Sequence, residues 1–275
     1  MKAVPSIHDG LPSIHPKIDH AIKNGENIMI LIGIKDISSL TRDEIISDSH
    51  SFSPFYQDYI LSPIREKEGE LQLAHSAQRL ACVQMLHEFC KHKFAKLPNF
   101  TVKSKGKPCF DDSDVYFSLS HSEDIAVFAV SFPGGDEKEV SARTDFVLLS
   151  DCMGEEKEFF NACDSGAPCA FVICDTAREC VGADVQVVKS EDANLSYRHE
   201  KIAERFFDEK QSARLTACPT EENFIRLWTE LESLSKMTGE GVASYDKKTK
   251  EGAKTITLCY LDSKNKRYYI SLSYR

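Results

Sequence analysis

The sequence contains no apolar run near the roughly 18 residues that a membrane-crossing helix needs, so the chain is expected to stay out of the bilayer. Its ten cysteines include no CxxC pair, which removes the usual zinc and dithiol patterns. It lacks the glycine-rich GxxxxGK[ST] loop that cradles nucleoside triphosphates. Positive charge is in deficit: 34 Lys and Arg stand against 43 Asp and Glu, for a net charge of -9. No global field therefore attracts nucleic acid or an anionic membrane, and any basic site must be local. The first residues carry Pro5, His8, Asp9, Pro12 and Pro16 in place of the apolar core of a secretory signal. Without that signal the cysteines read as reduced thiols of a cytoplasmic protein. Cys163, Cys169, Cys174 and Cys180 cluster, but their gaps are wide and no histidine lies among them, so they read as small buried apolar residues.

What is present is an ordinary globular composition, 41% hydrophobic and 28% charged over 275 residues. Residues 1–26 read as a loose leader. The β-branched run from Ile28 to Ile34 predicts a buried strand. Ser39 and Thr41 ahead of Glu44 predict a capped helix, and Ser62-Pro63 predicts another helix start. Leu73, Ala77, Leu80, Val83, Leu86 and Cys90 predict an amphipathic helix over 73–94. Strands are expected from Val115 to Leu119 and from Ile125 to Ser131. Residues 133–165 are acidic, follow Gly134-Gly135 and read as an inserted loop or hairpin, with a strand near Phe146 to Leu149. Further strands are expected at 170–174, 181–188, 255–261 and 267–273, with helices at 196–206, 209–216 and 221–237. Strands and helices without strict alternation point to α+β. The chain divides into the leader, an N-terminal half over 27–132, an insertion and connecting segment over 133–179, and a C-terminal half over 180–275.

Three segments carry chemistry. Phe117-Ser118-Leu119-Ser120-His121-Ser122 places Ser120 and His121 near a strand end, where the imidazole can donate to a phosphate or be an ordinary turn residue. As strand neighbours the two side chains point to opposite faces, so they are not a nucleophile–base dyad. Val181-Gly182-Ala183-Asp184-Val185-Gln186 puts a carboxylate inside an apolar strand. Buried there it needs a partner such as a divalent cation; at a strand end it would simply face solvent. Phe224 to Lys236 reads as a helix that aligns Trp228, Glu232, Ser235 and Lys236 on one face beside a Leu227, Leu231 and Leu234 stripe. Taken alone, Glu232 and Lys236 read first as a surface ion pair worth about 0.3–0.5 kcal/mol.

Together, in this order and with Asp184 preceding Glu232 by 48 positions, the segments resemble the phosphopantetheinyl transferases of the surfactin-synthetase-activating type. Gly106-Lys107-Pro108, Leu61-Ser62-Pro63 with Arg65, Lys67 and Arg79, and Ile202 to Phe207 are similar to further elements of that family. The resemblance implies two similar α/β halves in a pseudo-twofold arrangement, acting as a monomer on coenzyme A and an acidic apo carrier protein. It implies that Asp184 and Glu232, with Gln186 in the place of a second acidic ligand, hold Mg2+ or Mn2+. Glu232 and Lys236 would be the catalytic residues. Arg79, Lys107, Ser120, His121, Asp184 and Lys236 would bind coenzyme A. Arg198, Lys201, Arg205, Lys210 and Arg214 are candidates for a local basic patch toward the carrier, whether of fatty-acid, polyketide or nonribosomal peptide synthesis. Gln186, Leu231 in place of a lysine and Ala183 in place of a branched residue depart from the pattern. They motivate a rival, a coenzyme A or carrier-protein binding module without activity. An unrelated metal-dependent phosphotransferase and a structural cysteine-rich protein are weaker rivals.

Overall fold

The β-branched run at the start of the N-terminal half forms β1 (Ile28–Asp36). The computed structural model describes residues 28–67, 69–90, 97–102, 107–111, 115–133, 146–148, 158–160, 169–175, 180–189, 193–244, 252–262 and 264–275. After β1 come three helices, α1 (Arg42–Ser49), α2 (Pro54–Glu66) and α3 (Glu70–Cys90). The small pair β2 (Thr101–Val102) and β3 (Pro108–Cys109) leads to the hairpin β4 (Tyr116–Ser122) and β5 (Ile125–Pro133). Among the described residues three strands follow, β6 (Phe146–Leu148), β7 (Glu158–Phe160) and β8 (Cys169–Asp175). Then come β9 (Val181–Val187), the helices α4 (Tyr197–Phe206), α5 (Glu209–Ala217) and α6 (Glu221–Thr238), and the hairpin β10 (Lys254–Leu261) and β11 (Arg267–Tyr274). The arrangement is α+β, built on small sheets that are mostly antiparallel. Among the described residues no helix is long and apolar enough to cross a membrane.

One sheet has the order β4-β5-β1-β8-β6 and the other β7-β10-β11-β9. In the first, β1 runs antiparallel to β5, which pairs with β4; in the second, β9 runs antiparallel to β11, which pairs with β10. Among the described residues, three α-helices separate the first strand from the hairpin in each case. The strands between β5 and β9 lengthen both sheets. β8 adds to the free side of β1, β6 joins β8 in parallel, and β7 joins β10 in parallel. The expected loop or hairpin over 133–165 therefore holds β6 and β7; its remaining residues after Pro133, including Cys163, and the leader over 1–26 lie outside the described residues.

The two sheets pack face to face. Ile30, Ile32, Ile34, Ile125, Val127 and Ala129 of one meet Val181, Ala183, Val185, Ile270 and Leu272 of the other. Alternate residues face outward: Phe117, Phe128 and Val130 pack under α1–α3. Leu227 and Leu231 of α6 are buried with Phe207 and Phe224, so the leucine stripe faces the core. The edge strand β9 has backbone N–H groups that no strand satisfies. The hydroxyls of Ser118, Ser120 and Ser122 accept them instead, from Ala183, Val185 and Val187 at 3.0, 3.2 and 3.1 Å. A period-two serine repeat on β4 thus welds the two sheets. Ser118→Ala is expected to cost about 1–2 kcal/mol by orphaning a buried N–H. Thermal unfolding checks this; an unchanged melting temperature would show that Ala183 has another acceptor.

One expectation is corrected. Ser62-Pro63 does not begin a helix: α2 starts at Pro54, behind Ser53, and Pro63 lies inside it. A proline within a helix frees the carbonyl four residues earlier, here that of Tyr59. Arg79 of α3 donates to it at 2.8 Å and to Ser62 Oγ at 2.7 Å, and its guanidinium lies 4.8 Å from the centre of the Tyr59 ring. The cost of the proline is offset by another helix. The helix expected over 73–94 begins earlier, at Glu70, and is described as far as Cys90.

Candidate active site

Side chains alternate along β9, so Val181, Ala183 and Val185 enter the core between the sheets while Gly182, Asp184 and Gln186 face α6. Helix α6 is set by Thr220, whose hydroxyl caps it by accepting from the Asn223 N–H, by Glu221 and Glu222 in its first turn, and by Gly239, left-handed at φ 76°, after its last. Phe224 and Phe206 hold the Trp228 ring, with centroids 6.1 and 6.0 Å away. At its other end the helix backbone comes very close to Gly182, and Ser233 Oγ bonds Ser273 Oγ at 2.7 Å. The close contact places Glu232 and Lys236 over Asp184.

Asp184 is 1% exposed. Its Oδ1 accepts from Ser120 Oγ at 2.9 Å and from Lys236 Nζ at 2.5 Å. Lys236 Nζ also donates to Ser120 Oγ at 2.9 Å, and the hydroxyl takes the Val185 N–H as well. Lys236 therefore turns across to the strand, rather than forming the i,i+4 surface pair that its spacing from Glu232 allows. The amide of Gln186 joins the two acids, donating to Asp184 Oδ2 at 3.3 Å and to Glu232 Oε2 at 3.1 Å. Burial, and then the adjacent Asp184 carboxylate, push the Glu232 carboxyl up to about 7, against the opposing pull of Lys236. A hydrogen bond between the two carboxyl groups adds to the same upward push on Glu232.

Among the described residues no group of three or more His, Cys, Asp or Glu is placed to hold a metal ion. The donors at this point are two carboxylates and one amide. That set fits Mg2+, which commonly takes one or two carboxylates and completes its shell with substrate phosphates and water. A buried carboxyl that its surroundings push up, beside a second acid, is a place where a dication would favour the charged form.

Residues 180–270 match the family model of the 4'-phosphopantetheinyl transferase superfamily. The matched stretch contains Asp184, Gln186, Glu232 and Lys236, and that similarity supports a phosphopantetheinyl transferase. No curated protein matches the chain significantly.

The residues expected to bind coenzyme A from the N-terminal half lie outside the stretch that is similar to the superfamily. Ser120 is at the centre of the site, with its hydroxyl bound to Asp184, Lys236 and Val185. Lys107 reaches the C-terminal end of α6, donating to the carbonyls of Met237 at 2.5 Å and Val181 at 3.3 Å. A cleft of about 210 Å³ opens here, lined by Lys107, Ser118, Lys236, Gly239 and Gly241 among others. His121 is exposed and lies 6.1 Å from His75, ring to ring. Crowding by surrounding protein, followed by the charge of Lys236, holds its imidazole below the ordinary range, and its exposed edge tempers that effect. Arg79 stands close enough to His121 to contribute to the same shift, but one of its terminal nitrogens is taken up by Tyr59 and Ser62. Of the basic patch, Arg214 is bound bidentately to Glu230 at 2.8 and 3.1 Å, and Lys201 pairs with Glu204. Arg198, Arg205 and Lys210 are exposed. Sequence reasoning missed the roles of Ser118 and Ser122; their alternation with Ser120 was the available signal.

Proposed function

We propose that this chain is a magnesium-dependent transferase of the two-halved type. It moves the 4'-phosphopantetheine arm of coenzyme A onto a serine of an acidic apo carrier protein and releases adenosine 3',5'-bisphosphate. The observation that carries this reading is the meeting of Asp184, from a strand, with Glu232, from a helix, through the Gln186 amide beside a cleft lined by two lysines. Support for two halves on one chain comes from the shared strand order, β1-β5-β4 and β9-β11-β10, with three helices interposed in each. Residues 133–179 then form an insertion between the halves.

Asp184 and Glu232 would hold the metal, and Gln186 would contribute its amide oxygen after a flip of the amide. The metal, when bound, supplies charge neutralisation at the diphosphate and polarises the phosphoryl group. The remaining work belongs to the chain. Lys236 and Lys107 bind the anionic diphosphate in the cleft, and His121 donates to phosphate oxygen from the opposite half. The carrier serine hydroxyl attacks the phosphorus that bears the pantetheine arm. The new P–O bond forms as the bond to the adenosine bisphosphate breaks, and that oxygen leaves with the electron pair. Glu232 takes the serine proton at its carboxylate. Arg198, Arg205 and Lys210, all exposed, would attract an acidic carrier.

Incubation with coenzyme A, Mg2+ and a panel of apo carriers from fatty-acid, polyketide and peptide synthesis tests the reading by intact mass. One carrier should gain a single phosphopantetheinyl group. Binding of coenzyme A with no mass gain on any carrier, with Mg2+ or Mn2+ present, would instead support the inactive binding module that Gln186 and Leu231 motivate.

A further inference from the structure

We propose that Lys236 is a resident counter-ion that occupies the metal's place on Asp184 until a diphosphate draws it away, so that metal binding to the free protein is weak and coupled to coenzyme A. This rests on the reading of Asp184 and Glu232 as the metal site.

The argument begins with Asp184. A carboxylate 1% exposed cannot be left bare, because an unpaired buried charge costs several kcal/mol. Its neutralising charge is the Lys236 ammonium, at 2.5 Å from Oδ1. Ser120 closes a triangle around that contact. It donates to the same Oδ1 at 2.9 Å and accepts from Nζ at 2.9 Å, which fixes the ammonium in one orientation. A dication binding the same oxygen would meet this ammonium at a few ångströms, where like charges repel strongly in a partly buried setting. One of them must give way.

Lys236 has somewhere to go. Its side chain is 35% exposed, and it lines the cleft it shares with Lys107. A metal arriving alone offers the displaced ammonium no new partner. A diphosphate in the cleft does, since its oxygens replace the carboxylate as acceptors. Metal and diphosphate then favour each other, and the coupling is reciprocal.

The test is a titration of Mn2+ into the free protein without coenzyme A, read from the electron paramagnetic resonance signal of free Mn2+. Lys236→Gln, one bond shorter, keeps an N–H donor toward Asp184 but removes the charge. It is expected to bind Mn2+ at least about tenfold more tightly than the wild type. Lys236→Arg keeps the charge and should bind as weakly as the wild type. A Gln variant no tighter than wild type, or an Arg variant as tight as the Gln variant, overturns the proposal. If the Gln variant does not fold, the wild type decides. Coenzyme A must raise its Mn2+ affinity at least about tenfold, and the absence of that coupling rejects the counter-ion role. Adding Glu232→Gln to Lys236→Gln separates the two readings. Loss of tight Mn2+ binding places the ion at the acids. Its persistence means that the metal reading itself has failed, and the counter-ion role with it.

Discussion

Glu232→Gln should lower transfer at least about a thousandfold and, at pH 8, make the metal-free protein more stable. The two effects have one cause. Burial and the Asp184 carboxylate raise the Glu232 carboxyl to about 7 in the folded chain, from an ordinary value of 4.5. Between those values the folded state holds a proton that the unfolded chain has released. Stability therefore falls as pH rises from 4.5 to about 7 and stays low above it. Glutamine has no proton to lose and keeps an N–H for its neighbour. Its advantage is on the order of 2 kcal/mol at pH 8 and vanishes near pH 4. Thermal unfolding in a chelator at both pH values measures it, alongside intact-mass transfer assays. A variant with the wild-type pH profile would show that Glu232 is not held against a second acid.

Gly182→Ala, by contrast, should damage the fold itself. A Cβ on Gly182 would lie 2.1 Å from the Ser233 carbonyl oxygen, 2.2 Å from the Met237 nitrogen and 2.7 Å from the Met237 Cα. All three are backbone atoms of α6, so no side chain can rotate aside. Either β9 or α6 must move, at a cost of about 3 kcal/mol or more. Since α6 carries Glu232 and Lys236, any displacement that keeps the protein folded also separates them from Asp184. The expected result is a melting temperature lowered by several degrees together with lost transfer. Wild-type unfolding would mean that helix and strand do not approach this closely.

These two positions show how far local pattern reaches. The apolar alternation of Val181, Ala183 and Val185 and the leucine stripe of α6 were legible, because strand and helix periods act within a few residues. So were Asp184 and Glu232 as chemically distinctive groups. The start of α2 was misread because Ser53-Pro54 and Ser62-Pro63 carry the same local signal. What lets Pro63 sit inside a helix is Arg79, donating from another helix to the Tyr59 carbonyl. The partner of Lys236 was equally out of reach. Spacing along α6 offered Glu232, whereas burial of Asp184 claims the ammonium across 52 residues.

By itself the sequence determined most of the longer strands and helices, which face of each is apolar, and which residues have metal- or phosphate-binding chemistry, since all of these follow from side-chain type at fixed short periods. The tertiary structure alone decided that Gly182 lets α6 settle onto β9, that three serines of β4 satisfy the open edge of β9, and that Ser120, Gln186 and Lys236 converge on Asp184. Burial makes an unpaired charge or N–H costly, and the groups that relieve that cost come from wherever the chain packs, not from the next turn.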